Sequence, residues 1–256
     1  MRSQILCARL ALAALALALV AAGLAIGAVR LGALPFESGL IIMTGATALG
    51  LIALLLALVW LLRAFGSNQS AGKRAGLAAL FGSLLLLWTP LHALLMGLTS
   101  PPIHDATTNP EDPPQFVALA KRAPGMNPAA YDGTEQVHFR GETNTANFML
   151  HNYYSDMTHP QGRLLRTKAY LFWHCFEAAK AMGWHIVDYN EQQGRIEATD
   201  RSFWFGQKAD IVIRVREAGS LGAITDVRSQ SESGTQDFGA NITRVKAYVK
   251  AYLRGT

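Results

Sequence analysis

Three apolar runs constrain this 256-residue chain before anything else does: Leu10 to Val29, Leu40 to Leu62 and Leu77 to Leu98. Each reaches the roughly 18–20 residues that a helix needs to cross the hydrocarbon core of a bilayer. None contains an ionised side chain. In lipid, a backbone satisfies its own polar groups only by coiling into a helix or closing a barrel. Residues 1–98 are therefore expected to form three membrane-spanning helices. The first run exceeds the apolar core of a cleaved signal peptide, so a retained helix is expected there as well.

Charge supports the same reading. The formal net charge is +5. The first 98 residues hold six basic side chains (Arg2, Arg9, Arg30, Arg63, Lys73, Arg74) against one acid, Glu37, and the remainder balances. The basic excess is thus a signal of membrane topology and not the footprint of a nucleic-acid partner. Arg2 and Arg9 precede the first run, Arg63, Lys73 and Arg74 separate the second from the third, and only Arg30 separates the first from the second. Basic loops stay on the cytoplasmic side. The amino terminus is therefore expected inside a bacterial inner membrane, with everything after Leu98 in the periplasm. Gly23 and Gly27 are expected to let helices approach closely. Trp60 is read as an interfacial anchor, and His92 as a side chain seeking a partner near the interface.

Residues 99–126 are rich in proline (Pro101, Pro102, Pro110, Pro113, Pro114), which forbids helix and favours an extended path. This connector should run along the following domain with Ile103 and Phe116 as apolar anchors. His104, Asp105, Glu111 and Asp112 fall at no defensible cation-loop spacing. Residues 127–256 are expected to form an α+β domain. Its first part, to Gly162, reads as an irregular connection. His138, His151, His159 and Asp156 are spaced too widely for a zinc site, so no metal or cofactor is expected.

Beyond it, Leu164 to Arg166 reads as a short strand. Thr167 is placed to cap a helix that runs to Met182 and stops at Gly183. Its inner stripe would be Ala169, Phe172, Phe176 and Ala179, with Cys175 a buried thiol beside it. Trp184–Tyr189, Arg195–Asp200, Ile211–Val215 and Ala223–Ser231 alternate apolar and polar residues with the period of half-buried strands. Together they make an antiparallel meander packed by two helices. The second helix carries Phe238, Ile242, Val245, Val249 and Tyr252 on one face. Matching apolar faces sets Ile186 opposite Ala198, and the Ala218–Gly222 loop sets Arg214 opposite Asp226 and Val215 opposite Thr225. The phase change near Asp200–Ser202 predicts a bulge or a sharp bend there.

GRIEATDRSFWFG at 194–206, DIVIRVR at 210–216 and DVRSQSESGTQDFGANITRV at 226–245 together resemble the domain of unknown function 1499 family. IHDATTNPEDPPQF at 103–116 and AAKAMGWHIV at 178–187 are similar to its other landmarks, whereas residues 134–163 depart from its pattern. The resemblance implies a compact α+β domain of bacterial or plant envelope and plastid proteins, often carried on membrane-spanning helices. It implies no established activity and supplies no catalytic residue.

The chain has no GxSxG elbow, phosphate-binding loop, HExxH or CxxC. Its most enzyme-like grouping is Asp226, Arg228, Ser231, Asp237, Asn241 and Arg244. The residues suggest a structural network: Asp237 caps the closing helix, and Arg228 reaches Asp237 or nearby carbonyls. Phe203, Trp204 and Phe205, taken as strand residues, alternate faces. At least one ring then leaves the main core; packing between sheet and linker is the favoured reading, and an apolar ligand groove or contact with the membrane surface is the alternative. The expected function is a membrane protein whose domain binds an envelope protein, a lipid or another apolar ligand. The alternative is a periplasmic hydrolase or metal-dependent enzyme of unrecognised type.

Overall fold

The structure, a computed structural model, describes residues 2–65, 72–157, 166–219, 222–234 and 237–254. The expected strand at Leu164–Arg166 and the His159 position fall largely or wholly outside them. The chain divides into two compact units. One comprises Met1–Leu95 with Phe203–Gly206, and the other Met96–Ser202 with Gln207–Thr256.

The first unit contains α1 (Arg2–Arg30), α2 (Phe36–Phe65) and most of α3 (Lys73–Thr99). All three are long and apolar enough to cross a membrane. The buried seam of α1 is Ala8, Ala11, Leu15, Ala18, Ala22 and Ala25. These spacings of three and four keep one narrow stripe of small side chains against its neighbours. Gly23 and Gly27 are not part of it, since a Cβ at either would meet nothing within 4 Å. The glycine that sets a close approach to this seam is Gly82 of α3, where an added Cβ would lie 2.5 Å from Leu15 Cδ2. Trp60 is not an exposed anchor either. It is only 3% exposed, and its indole lies where a side chain on Gly76 would be.

The second unit holds a five-stranded antiparallel sheet in the order β1-β7-β6-β5-β4. Its strands are β1 (Asp105–Thr107), β4 (His185–Asn190), β5 (Arg195–Arg201), β6 (Lys208–Glu217) and β7 (Ala223–Ser231). β1 comes from inside the proline-rich stretch and pairs with the last strand, with Ala106 opposite Ser229. Arg214 lies opposite Asp226 and Val215 opposite Thr225, as the loop length requires. Ile186 lies opposite Ala198. Near Asp200–Ser202 the chain bends and does not bulge, since β5 ends at Arg201 and Phe203–Phe205 form a turn, while a ladder irregularity sits between Ile186 and Asp188.

One sheet face is apolar. Ile196, Ala198, Ile211, Ile213, Val215 and Val227 share a core with α5 (Lys168–Ala181) and α6 (Ala240–Arg254). Thr167 caps α5 by accepting from the Tyr170 amide. The buried stripe of α5 is Leu171, Phe172, Cys175 and Ala179. Ala169 is exposed and Phe176 only partly covered, so the helix is rotated from the expected face and brings Cys175 into the core. On α6 the buried apolar residues are Ile242, Val245, Tyr248 and Tyr252, and Phe238 precedes the helix with a left-handed φ of 53°.

The stretch read as an irregular connection is partly ordered. A hairpin of β2 (Gln136–Phe139) and β3 (Glu142–Thr145) leads directly into α4 (Ala146–Tyr153), which Thr145 caps at the Phe148 amide. Two short strands and two turns of helix give too few periods for sequence pattern alone to reveal them.

Candidate functional site

The polar side chains of the sheet assemble on two opposite faces. On β7, Arg228 points away from the helices and is fully buried. Its Nε and Nη2 donate to the two carboxylate oxygens of Asp105 at 2.9 and 2.7 Å. Nη1 donates to the Pro114 carbonyl at 3.2 Å, and Nη2 also to the Ala129 carbonyl at 2.9 Å. The guanidinium also lies 4.8 Å from the ring centre of Phe116 and 5.3 Å from that of Tyr131. A planar, always-charged fork matches this set of acceptors and rings as lysine would not.

The neighbouring polar positions on this face do similar work. Glu197, fully buried on β5, accepts from the amides of Val117, Ala118 and Leu119 at 2.8, 3.1 and 2.7 Å, and also from Arg195. It thereby caps the 3-10 turn at Ala118–Ala120. Asp210 pairs with Arg122, whose other nitrogen donates to Gln230 at 2.8 Å. Burial pushes the Asp210 carboxyl above its ordinary range, against the opposing charges of Arg122 and Lys208. Asp226 accepts from Arg214 and Arg216 at 2.7–3.1 Å and from Asn109 at 3.3 Å. Arg214 also binds Asp112 at 2.9 and 3.1 Å. Its hydrogen bonds hold the Asp112 carboxyl below the usual value. The proline-rich segment thus covers the sheet's charged face, tied to it by buried ion pairs.

On the helix side, Asn241 of α6 donates to Ser231 and to the His104 carbonyl at 2.9 and 2.8 Å, and accepts from Ser229 at 2.7 Å. Arg244 donates to Asn241 at 2.8 Å and to Asp200 at 2.7 Å. Asp237 accepts from the amides of Gly239 and Asn241 at 2.8 and 2.6 Å and so caps α6. Burial raises its carboxyl above the ordinary range, while those amides and Arg244 act in the opposite direction.

The six residues grouped in the sequence are therefore not one cluster. Ser231, Asp237, Asn241 and Arg244 meet at the start of α6, while Asp226 and Arg228 lie across the sheet. Arg228 does not reach Asp237, because the alternation that puts Ser229 beside Asn241 turns its neighbour to the other face.

The remaining candidates for chemistry also have internal partners. Ser202 accepts from the Gln207 amide at 3.0 Å. His138 bonds Thr143 at 3.0 Å, and His151 lies 3.5 Å from Glu111. His104 lies 3.5 Å from Glu135. Cys175 contacts Thr225 at 3.3 Å, and burial pushes its thiol up, away from the thiolate a nucleophile requires. Among the described residues, no three His, Cys, Asp or Glu side chains converge as metal ligands do.

Residues 105–252 match the family described as Protein of unknown function (DUF1499). The chain belongs to the DUF1499 family. The matched region begins at β1 and ends within α6, so it takes in the sheet, both core helices and the proline-rich cover. No curated protein matches the chain.

Two aromatic groups stand out on this DUF1499 protein. In the second unit, Trp173 and Phe176 of α5 meet Tyr189 of β4, with ring centres 5.1–6.1 Å apart. Trp173 is 42% and Tyr189 50% exposed. In the first unit, Phe203 is 79% and Trp204 45% exposed, in a turn and not on strand faces. The sequence singled out the second group only. The signal for the first was available in Trp173, three residues from Phe176 on one helix, but the expected stripe placed Phe176 in the core.

Proposed function

We propose that this DUF1499 protein is a multi-pass bacterial inner-membrane protein whose periplasmic domain is a non-enzymatic binding module for an envelope protein. The observation that carries this reading is the Trp173–Phe176–Tyr189 cluster. Aromatics that pack together and are partly open to water form a contiguous apolar patch, the kind of surface that marks an interaction site, and Trp and Tyr are enriched among residues that dominate association energies. The charged side chains that suggested catalysis instead hold the proline-rich segment and α6 on the sheet. Their hydrogen-bonding capacity is largely taken up within the chain.

The orientation rests on the basic residues flanking the helices, three of them between the second and third spans and one between the first and second. Alkaline phosphatase fused after Thr256 is expected to be active. An inactive fusion would reverse the topology.

The binding role is tested by placing a photocrosslinking amino acid at position 173 in intact cells, with position 217 as an exposed control. The expected result is a discrete protein adduct at 173 that Tyr189→Ala removes and that is absent at 217. Identical adduct patterns at both positions, or no adduct at 173, would sink the reading.

A further inference from the structure

The turn between β5 and β6 differs from the other described hairpin turns. Its base is closed by two bonds, the Ser202 amide to the Gln207 carbonyl at 2.8 Å and the Gln207 amide to the Ser202 hydroxyl at 3.0 Å. Between these, Phe203–Gly206 belongs to the same compact unit as the three apolar helices. Arg30, the last residue of α1, donates to the Phe203 carbonyl and lies 3.4 Å from that of Trp204. The Phe205 ring stands edge-on to Phe36, the first residue of α2, with centres 5.4 Å apart. Gly206 leaves the turn at a φ of +66°, beside the Arg30 stem. Phe205 and the turn's backbone are thus engaged by the ends of two membrane-spanning helices. Phe203 and Trp204, 5.0 Å apart and edge to face, remain open.

We propose that Phe203 and Trp204 form an interfacial anchor that inserts into the headgroup–acyl boundary of the bilayer. The argument is one of level and chemistry. The residues holding the turn are the carboxy-terminal end of one span and the amino-terminal end of the next, where hydrocarbon gives way to water. Aromatic side chains with an apolar body partition to that depth, and tryptophan also places its indole N–H among polar headgroups. Arg30 adds a cation at the level of lipid phosphates, and its bonds to the turn's carbonyls fix the direction in which the two rings project. In water, two adjoining open aromatics would expose apolar surface, whereas the boundary of a bilayer covers it. A lipid surface therefore fits this turn better than a soluble ligand does. The inference is independent of the partner-binding role assigned to the Trp173 face.

The test uses the full chain reconstituted into phosphatidylcholine–phosphatidylglycerol vesicles. Cys7 is replaced by serine, Cys175 stays in the core, and an environment-sensitive dye is attached to Phe203→Cys. A second preparation carries the dye on Glu217→Cys, at the exposed end of β6. The expected result is blue-shifted emission at position 203. Lipids brominated near the carbonyl end of the acyl chain should quench it several-fold more strongly than they quench the dye at 217. Lipids brominated near the chain methyl should quench less, as a shallow location requires. Water-like emission with equal quenching at both positions would overturn the proposal. So would blue-shifted emission that brominated lipid leaves untouched, because a second copy of the chain would then be covering the turn.

Discussion

Replacing Arg228 by alanine isolates the role of the covered sheet face. The guanidinium makes four hydrogen bonds, two to the Asp105 carboxylate and one each to the Pro114 and Ala129 carbonyls. In the intact protein Asp105 has only 9% of its side chain exposed, and truncation removes its counter-ion. Truncation also opens a void between Phe116 and Tyr131. Removing one partner of a buried ion pair costs about 3–5 kcal/mol, against about 5–15 kcal/mol for the whole stability of a domain. For a domain of this size that corresponds to a fall in Tm on the order of 10 °C. The assay is thermal unfolding of the full chain in detergent, followed by tryptophan fluorescence, with Trp184 buried against Tyr248 as an internal reporter. Arg228→Met with Asp105→Leu removes both charges while keeping volume, and should recover much of the loss, since the cost lies in the unpaired carboxylate. If Arg228→Ala melts like the parent, the pair does not hold the fold. If it also abolishes crosslinking at position 173, Arg228 serves a site.

Other perturbations have equally definite outcomes. Gly194→Ala should cost at least about 2 kcal/mol in the same melts, because φ is +71° there and the added Cβ overlaps the Val215 carbonyl oxygen. A neutral result would mean that the β4–β5 turn adopts another conformation. Asp237→Ala should lose about 1 kcal/mol through the missing cap, and Asp237→Asn clearly less. Equal losses for the two would remove capping as the explanation. The Asp112 carboxyl lies below its ordinary 3.8 in the folded state, so the stability it contributes is present above that value. It should disappear as the pH falls through the lowered pKa. The small difference in Tm between the parent and Asp112→Asn, an exposed pair of about 0.2–1 kcal/mol, should therefore close on acidification. A gap that widens there would contradict the assignment.

The three long apolar helices and the meander were legible because each rests on long repetition. Twenty uncharged residues have few other readings, and strand parity together with a five-residue loop leaves one register for Arg214 and Asp226. What alternation cannot report is which face is covered. Strand alternation puts Arg195, Glu197, Asp210, Arg214, Asp226 and Arg228 on one face without saying that it is covered, and Glu197, Asp210 and Arg228 are fully buried. The clue was indirect: acids and bases interleave along that face, and a proline-rich segment carries Ile103 and Phe116, both of which are buried. Arg228 was directed toward Asp237 because sequence proximity favoured α6, whereas its partner Asp105 lies far upstream. The α5 stripe was misjudged by about one residue. On a helix that shift turns Trp173 and Phe176 outward, while Cys175 is buried as expected.

The pairing of β1 with β7 sets the order in which the domain can form. Asp105 and Arg228 are 123 residues apart. At translation rates of about 5–20 residues per second, the proline-rich segment waits roughly 6–25 s for its counter-ions. During that interval its prolines disfavour helix and competing strand ladders, and its acids oppose collapse onto the apolar spans that precede it. The first strand of the sheet is thus the last to be fixed. Its high contact order predicts that closure of this edge, not assembly of the local β4–β5–β6 meander, limits the folding rate.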